Sequence, residues 1–414
     1  MTFEELNLQD NLIKATKINK YIEVNPIQEK VIPLILEDCD VMAKAQTGSG
    51  KTASFVLPIL EKLSKIHRNP NQKAKLKVLV LTPTRELALQ VANNFVLFSE
   101  FLEKKPKIVS IIGGENIGDQ LLDIQKGCDI IVATTGRLID ILNKKQIDLT
   151  KIEYFVLDEA DKMLDLGFEE ELETILKVLP LKRQNLLFSA TYPSKILNIV
   201  SKITKNPIEV SIKDESQIVK TITQRVIRVN KENKSPLLRH LIVKEKWEQI
   251  LVFMANKRAA DNIAQKFRKY GFEAESFHGD LTQEERSYTL KEFKEKKIKV
   301  LFSSDIAARG LDIEDISCVV NFDLPRSTAD YIHRIGRTGR AGKTGIAISF
   351  INFENEEHFK LIEKRCDVKL LEEQVEGFEE TGIAPLKQKG NEAVKGKRKS
   401  KKDKLREEAL KNNK

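Results

Sequence analysis

The sequence has few of the residues that build disulfide networks or metal centres. It contains four cysteines and five histidines in 414 residues, and neither type recurs at the spacing of a disulfide framework or a zinc site. A reducing, cytoplasmic environment fits this composition. No apolar run approaches the ~18 residues that a membrane helix needs, and the first residues, MTFEELNLQDN, are acidic where a signal peptide would be basic. We therefore expect a protein that is neither exported nor inserted in a membrane.

The positive charge is concentrated at one end of the chain. The net charge is +9, but the residues from Lys387 onward contain twelve Lys or Arg and four Asp or Glu, and so carry +8 of it. Net charge is therefore no evidence for a basic groove in the rest of the protein. The Lys-rich end has almost no large apolar residues, which predicts a disordered or marginally helical tail.

Short runs of β-branched and aliphatic residues alternate with segments of helical length in both halves of the chain. The runs are KVLVLTP, IVSIIGG, DIIVAT, YFVLDEA, NLLFSAT, QILVFM, KVLFSSD, CVVNFD and IAISFI. Such near-continuous apolar runs predict strands that are buried on both faces of a parallel sheet. We therefore predict an α/β fold with two parallel-sheet lobes, at residues 1–207 and 219–375, joined by a linker at 208–218 and followed by a flexible basic tail at 376–414.

The segment AQTGSGKT, residues 45–52, has the spacing of the phosphate-binding loop G-x-x-x-x-G-K-[ST] between a strand and a helix. Backbone N–H groups in such a loop converge on phosphate oxygens at a helix N-terminus. Lys51 would reach the β- and γ-phosphates, and Thr52 would offer its hydroxyl to Mg²⁺. A glycine-rich turn with an incidental lysine is the alternative interpretation. The predicted nucleotide-binding residues are Ala45, Gln46, Thr47, Gly48, Ser49, Gly50, Lys51 and Thr52.

The stretch YFVLDEADKML predicts an acidic partner for this loop, because a strand runs directly into Asp158, Glu159 and Asp161. Asp158 would hold Mg²⁺, directly or through water, and Glu159 would orient or deprotonate the attacking water. Acids are also favoured at helix N-termini by the helix dipole, but that does not account for the matching phosphate loop. Together the two stretches predict nucleotide hydrolysis.

The LDEAD motif and its neighbours resemble the DEAD-box ATP-dependent RNA helicases over about residues 1–375. The motifs, in family order, are PTRELALQ (83–90), Gly113-Gly114, TTGRLID (134–140), SAT (189–191), FHGDLTQEER (277–286), SSDIAARGLDI (303–313) and HRIGRTGRAG (333–342). The EGFEE stretch near residue 378, followed by a short basic tail, is similar to the bacterial RhlE-like subgroup. The resemblance implies tandem RecA-like lobes, ATP and Mg²⁺ as cofactors, and RNA as the partner.

The resemblance also implies roles on the ATP side. Gln28 would read adenine, an aromatic residue, Phe3 or Tyr21, would pack the base or brace the loop, and Asp312 would approach the ribose. Asp161, Ser189, Thr191 and His333 would couple the ATP site to the RNA-side loops. Arg337 and Arg340 would reach the γ-phosphate from the second lobe as arginine fingers, whereas Arg334, on the last turn of a helix, would be structural.

On the RNA side the resemblance implies contacts to phosphodiester oxygens, which hydroxyls, arginines and glycine-opened helix N-termini can bind. The predicted residues in the first lobe are Pro83, Thr84, Arg85, Glu86, Gly113, Gly114, Thr134, Thr135, Gly136 and Arg137. Those in the second lobe are Gln283, Arg286, Ser303, Arg309 and Gly310.

The favoured interpretation is an RNA-dependent ATPase that locally separates duplexes or displaces bound protein. A DNA helicase is the alternative enzyme, since phosphate contacts do not distinguish the two polymers. A non-enzymatic RNA clamp is a third, but it would not need Lys51, Glu159 and the arginines. Ribosomal precursor particles or the RNA-decay machinery are candidate larger partners, and no membrane partner is expected.

The basic tail generates the first testable prediction. Truncation after residue 386 should weaken RNA binding and flatten its dependence on salt, because each neutralised phosphate of a single strand contributes about 0.7 to the slope of log affinity against log salt. Filter binding of a single-stranded RNA over a salt series measures that slope. An unchanged slope would mean that the tail is only a solvated extension.

Overall fold

The computed structural model describes residues 1–45, 49–66, 73–212, 222–308, 313, 316–339 and 344–382. They form two α/β lobes, each built on a seven-stranded sheet in which every paired strand is parallel. The predicted fold class of two tandem RecA-like lobes is confirmed. Within the described part of the chain, no helix combines the length and apolar character that crossing a bilayer requires.

The first lobe has the strand order β3-β4-β2-β5-β6-β1-β7. Its strands are β1 (Val41–Lys44), β2 (Val78–Thr82), β3 (Ile108–Ile111), β4 (Ile130–Thr134), β5 (Tyr154–Leu157), β6 (Gln184–Ser189) and β7 (Ile208–Ser211). A short 3-10 helix spans Phe3–Leu6, and the α-helices are α1 (Asp10–Ile18), α2 (Pro26–Leu36), α3 (Lys51–Ser64), α4 (Arg85–Phe98), α5 (Ile117–Gln125), α6 (Thr135–Asn143), α7 (Ala160–Asp165), α8 (Glu169–Val178) and α9 (Ser194–Ile203).

The second lobe repeats the layout with the order β10-β11-β9-β12-β13-β8-β14. Its strands are β8 (Ile222–Arg228), β9 (Ile250–Met254), β10 (Ala274–Phe277), β11 (Val300–Ser304), β12 (Cys318–Asn321), β13 (Gly345–Ile351) and β14 (Glu372–Glu373). A 3-10 turn spans Lys231–Asn233, and the α-helices are α10 (Lys234–Glu245), α11 (Lys257–Lys269), α12 (Gln283–Lys294), α13 (Asp305–Ala308), α14 (Thr328–Ile335) and α15 (Glu356–Cys366).

The apolar runs of the sequence are the central strands, which are covered by helices on both faces. All five residues of β2 and of β9 are buried, as expected for strands without a solvated face. Alternate side chains of each sheet therefore enter separate cores. In the first lobe one core packs Phe55 of α3 against Phe188 of β6, with ring centroids 5.1 Å apart, while Phe155 of β5 enters the other.

The structure moves two of the predicted boundaries. Residues 208–211, predicted as the start of the linker, form β7 and pair with β1; residues 213–218 lie outside the described residues. The tail was predicted from residue 376, but the Phe378 ring lies 5.3 Å from that of His240, and Glu380 accepts a 2.9 Å hydrogen bond from Arg228 Nε. The second lobe thus continues to residue 380, because EGFEE supplies an aromatic ring that packs against the core and a carboxylate that binds Arg228. The rest of the predicted tail, from residue 383, is outside the described residues.

The C-terminal segment 372–380 is held by an arginine network. Arg228 also contacts Glu356 at 2.9 Å and Glu372 at 2.6 Å, and Arg225 contacts Glu373 at 2.8 Å. Guanidinium groups that bind several carboxylates form the stronger kind of surface ion pair. We infer that this segment stabilises the second lobe.

Truncation after residue 370 should therefore destabilise the protein by about 2 kcal/mol or more, since it removes β14, the Phe378 packing and the ion pairs of Glu372, Glu373 and Glu380. Truncation after residue 382 is the matched control and should leave the melting temperature unchanged. Differential scanning calorimetry compares the two. Equal melting temperatures would show that residues 371–382 contribute nothing to the fold.

Candidate active site and nucleic-acid interface

The candidate site residues of the first lobe follow the carboxyl ends of its parallel strands. The phosphate loop follows β1, the acidic motif follows β5 and SAT ends β6, so these loops share one half of the sheet. The PTRE, Gly-Gly and TTGR segments follow β2, β3 and β4 in the other half. Open parallel sheets bind ligands at this edge. The topology thus places the loops after β1, β5 and β6, here called the nucleotide side, next to the loops after β2, β3 and β4, here called the polymer side.

The phosphate loop is built around a glycine and a buried lysine. Gly50 has φ +90° at the N-cap of α3, and a Cβ there would lie 2.5 Å from Gln28 Nε2, so only glycine fits. Lys51 is 6% exposed, and its buried Nζ has no hydrogen-bond partner among the described residues. A buried ammonium without a partner is costly, and phosphate oxygens are suited to satisfy it. Gln46, Thr47 and Gly48 lie outside the described residues.

Gln28 links the predicted adenine side to the phosphate loop. Its Oε1 accepts a 2.9 Å hydrogen bond from the Asn25 backbone N–H, which closes the N-terminal capping box of α2, and its Nε2 donates to the Gly50 carbonyl at 3.2 Å. An amide keeps one further donor and one further acceptor in this arrangement. Recognition of adenine by Gln28 therefore remains a prediction.

The two predicted aromatic residues differ in their surroundings. Phe3 is 2% exposed and belongs to the hydrophobic core, so it braces the N-terminal segment and does not offer a free face to a base. The Tyr21 ring packs edge-on against Phe98, with centroids 5.1 Å apart. Contact of Tyr21 with the base remains a prediction.

The acidic motif combines burial with closely spaced charge. Burial raises the pKa of Asp158 to about 7, although Lys51 acts in the opposite direction. A bound cation would stabilise the charged form of this carboxylate. Mg²⁺ is suited to the site, because it binds carboxylate and hydroxyl oxygens such as those of Asp158 and Thr52. No cluster of three or more His, Cys, Asp or Glu side chains in the described ranges is arranged to hold a metal by itself.

Glu159 has an unusual backbone conformation. Its φ and ψ are both 49°, in the left-handed region, at the N-cap of α7, which costs a non-glycine residue roughly 1–2 kcal/mol. Two hydrogen bonds hold the turn: the Glu159 N–H donates to Asp158 Oδ1 at 2.9 Å, and the Glu159 carbonyl accepts from the Lys162 N–H at 2.9 Å. Residues held in this way cluster at functional sites.

The predicted link between Asp161 and SAT is present. Asp161 Oδ2 accepts hydrogen bonds from the Thr191 N–H at 3.1 Å and from its hydroxyl at 3.0 Å. The Asp161 N–H in turn donates to Ser189 Oγ at 3.2 Å. The Ala45 N–H donates to the Ser189 carbonyl at 3.0 Å. SAT therefore joins the acidic motif to the start of the phosphate loop.

His333 of α14 meets this network from the second lobe. Burial lowers its pKa to about 3, and the charge of Lys162 acts in the same direction, while Asp161 opposes them. The imidazole is therefore neutral at pH 7. Lys162 Nζ also lies 3.9 Å from Asp330 Oδ1, again across the two lobes. Lys162 and Asp330 were not singled out from the sequence, because neither stands out from other surface charges there.

The structure describes two residues of the arginine triplet, and the finger roles of Arg337 and Arg340 remain predictions. Arg334 is structural: its Nε and Nη2 donate to Asp305 at 2.5 and 2.7 Å, and its Nη1 donates to the Asp323 carbonyl at 2.6 Å. Arg337 is buried and lies near enough to His333 for its charge to lower the histidine pKa. Arg340 lies outside the described residues, as do Arg309, Gly310 and Asp312 of the second lobe.

Three arginines gather on the polymer side. A Cβ at Gly114, whose φ is +82°, would lie 2.4 Å from Arg85 Nη1, so the Gly113-Gly114 pair leaves the space that Arg85 fills. Burial, together with the charges of Arg286 and Arg137, lowers the pKa of Arg85. Arg137, beside the exposed Gly136, donates to Gln120 Oε1 at 3.2 Å and to the Glu115 carbonyl at 3.1 Å. A phosphodiester backbone would relieve the repulsion among these cations.

Other predicted polymer contacts are turned inward. Pro83, Thr84, Thr135 and Ser303 are buried; Thr84 Oγ1 caps α4 by accepting from the Leu87 N–H, and Ser303 Oγ donates to the Phe277 carbonyl. The hydroxyls of Thr84 and Ser303 therefore hold the loops, whereas the buried Thr135 Oγ1 has no hydrogen-bond partner among the described residues. Arg286 pairs with an acid of the first lobe, because its Nε donates to Glu86 Oε1 at 2.6 Å. Contact of either residue with RNA therefore remains a prediction.

Comparison with known proteins decides the family. The family model named DEAD/DEAH box helicase matches residues 25–199, and the family model named helicase conserved C-terminal domain matches residues 233–342. The DEAD-box ATP-dependent RNA helicase CshA of Bacillus subtilis is 39% identical over 94% of this chain and 78% of its own length. The chain belongs to the DEAD-box ATP-dependent RNA helicases. Another DEAD-box relative, CshA of Listeria monocytogenes, is 38% identical over 87% of this chain and 68% of its own length.

Solved DEAD-box structures agree with this assignment. Saccharomyces cerevisiae Dbp5 bound to RNA and ADP BeF3 is 32% identical, with a TM-score of 0.80 over 90% of this chain and 95% of that one. Mss116p bound to single-stranded RNA and AMP-PNP is 29% identical, with a TM-score of 0.80 over 91% of this chain and 80% of that one. A DEAD box protein from Methanococcus jannaschii is 40% identical but has a TM-score of 0.52, over 90% of this chain and 99% of that one.

The Asp161 network generates a prediction about coupling in this DEAD-box protein. Ser189→Ala combined with Thr191→Ala removes both hydroxyls that contact Asp161 and should uncouple unwinding from ATP hydrolysis by roughly tenfold, while the fold is kept. The ratio of the rate of strand separation to the rate of phosphate release measures this coupling. A double variant that keeps the original ratio would contradict the role of this link.

Proposed function

We propose that this helicase completes its ATPase site only when its two lobes meet around RNA, and that closure separates short duplexes or displaces bound proteins. The observation that carries the proposal is the ion pair between Glu86 and Arg286, whose side chains are each 7% exposed and come from different lobes. A buried pair of this kind is favourable only with good geometry, and losing one partner is costly. The closed arrangement therefore has a defined contact on the polymer side as well as at His333.

The chain's own residues divide the chemistry between the lobes. Lys51 would bind the β- and γ-phosphates, Thr52 and Asp158 would hold Mg²⁺, and Glu159 would take a proton from water or orient it. The ion would neutralise charge on the phosphates. Arg337, with Arg340, would add positive charge at the γ-phosphate from the second lobe. Hydrolysis is then linked to closure because neither lobe contains both sets of groups.

The structural comparison supports a closed arrangement. The two relatives bound to RNA and an ATP-like ligand have TM-scores of 0.80 at 29–32% identity, whereas the M. jannaschii protein has 0.52 at 40% identity. In two-lobed proteins a TM-score over both lobes depends on how the lobes are placed. A placement of the lobes like that of the RNA-bound relatives would account for these scores, although another relative is more similar in sequence.

We further propose a cytoplasmic protein that acts on structured RNA mainly through backbone contacts, with ribosomal precursor particles or RNA-decay machinery as candidate targets. The few, widely spaced cysteines support a reducing compartment. The similarity to CshA proteins over most of the chain favours a CshA-type role. The RhlE-like subgroup is not confirmed, and it rests only on the EGFEE stretch and the tail.

Phosphate release tests the proposed function. We expect slow release with ATP alone, little stimulation by single-stranded DNA and strong stimulation by RNA of the same sequence. Equal stimulation by both polymers would favour a DNA helicase, and no hydrolysis with any polymer would favour a clamp. Omission of Mg²⁺ should abolish release in each case.

Replacement of the second-lobe arginine gives the sharpest residue-level prediction. Arg337→Ala should lower turnover by roughly 10³-fold or more, the range known for arginine fingers, while a fluorescent ATP analogue still binds. Arg365→Ala, which removes an exposed arginine of α15, is the matched control. Turnover that survives in Arg337→Ala would remove this residue from the ATPase site.

A further inference from the structure

A groove rich in lysine lies at the end of the first lobe opposite the ATP site. Helix α3 starts at Lys51 in the phosphate loop, and its last turn, with Leu63 and Ser64, lines the groove. Because α3 has 14 residues, its two ends are about 21 Å apart. The remaining walls are residues 73–77, which lead into β2, and residues 102–106, which lead into β3. The groove is therefore separate from both the nucleotide side and the polymer side described above.

One wall of the groove carries a row of lysines on a backbone segment that packs against a turn. In the segment Lys73–Lys77, Lys73 and Lys75 are exposed whereas Ala74 between them is buried, the alternation of an extended chain. Gly127 packs against this segment with φ +86°, and a Cβ there would lie 2.9 Å from the Ala74 carbonyl oxygen. The backbone that carries the lysines is thus held against the turn at Gly127.

The lining of the groove is strongly cationic. Five lysines, Lys73, Lys75, Lys77, Lys104 and Lys105, face a single acid, Asp129. Lys73 Nζ donates to the Gln125 carbonyl at 3.3 Å and Lys77 Nζ contacts Glu153 at 2.6 Å. The other three ammonium groups make no hydrogen bond or ion pair with the part of the chain that the structure describes. They are available to carboxylates of a ligand.

The floor of the groove is apolar and small. Leu63, Ile66, Leu102 and Pro106 line it, and the whole groove has a volume of about 240 Å³. RNA bases bind to proteins by stacking on aromatic rings or on arginine planes, and the described lining residues include neither. The volume is below the ~300–1,000 Å³ typical of small-molecule pockets, so it suits a single aliphatic or aromatic side chain. A floor of this kind with a cationic rim fits a peptide better than a nucleic acid.

We propose that this groove binds an acidic protein segment that inserts one apolar side chain into the floor while its carboxylates contact Lys75, Lys104 and Lys105. Anchors in a small pocket surrounded by complementary charge are a recurring mode of peptide recognition. The groove would give the helicase a protein partner at a surface that RNA and ATP leave free. This inference is independent of the proposed mechanism of hydrolysis.

The test uses the full chain and a fluorescein-labelled short peptide of Asp and Glu with one central Leu, followed by anisotropy. A second peptide with Ser in place of Leu has the same charge, so the basic tail attracts both peptides equally and only the floor distinguishes them. Lys104→Glu combined with Lys105→Glu reverses charge at the groove. Lys266→Glu combined with Lys269→Glu makes the same change on exposed positions of α11 in the second lobe.

We expect the Leu peptide to bind roughly tenfold more tightly than the Ser peptide, and the groove variant to lose roughly tenfold in affinity for it, while the α11 variant does not. RNA-stimulated phosphate release should be the same in both variants, because neither touches the ATP site. Equal affinity for the two peptides, or equal losses in the two variants, would overturn the proposal. A groove variant that loses RNA binding but not peptide binding would also overturn it, in favour of an RNA contact.

Discussion

The parallel orientation of the strands is the constraint on which the rest of this helicase depends. Parallel strands bring the loops at their carboxyl ends to one edge of each sheet, so six separate sequence motifs of the first lobe meet there without being near one another in the chain. The strand order then separates them, with phosphate and acid loops after β1 and β5 and polymer-side loops after β2, β3 and β4. The second lobe brings His333 of α14 and Arg337, just after that helix, towards the same region.

Much of this arrangement could be predicted from the sequence. The strands were visible because burial on both faces makes them apolar at nearly every position, as in β2 and β9. The nucleotide residues were visible because a phosphate loop needs glycine and lysine at fixed spacing, and the link from Asp161 to Thr191 followed from the family resemblance. What the sequence could not provide were contacts between distant residues: Glu86 and Arg286 are 200 positions apart, and nothing local marks them as partners.

The residues whose roles changed share a chemical reason. A hydroxyl that could bind a phosphate oxygen can equally cap a helix, as Thr84 does, or satisfy a backbone carbonyl, as Ser303 does. An arginine that could contact RNA can equally pair with an acid, as Arg286 does. The boundaries moved for a similar reason, since the acidic EGFEE stretch resembles a solvated tail until Glu380 is seen beside Arg228. Residue type limits the possible partners but does not select among them.

The backbone of Glu159 has a consequence for how variants of this enzyme should be interpreted. The residue has a left-handed conformation that glycine tolerates better, and its buried carboxylate is next to that of Asp158. Both features oppose folding, so the position represents a trade-off between stability and activity. Substitutions that remove the charge or relax the backbone should raise thermal stability, and with the role proposed for Glu159 they should also abolish hydrolysis. A higher melting temperature in a variant at this position is thus no sign that the enzyme is intact.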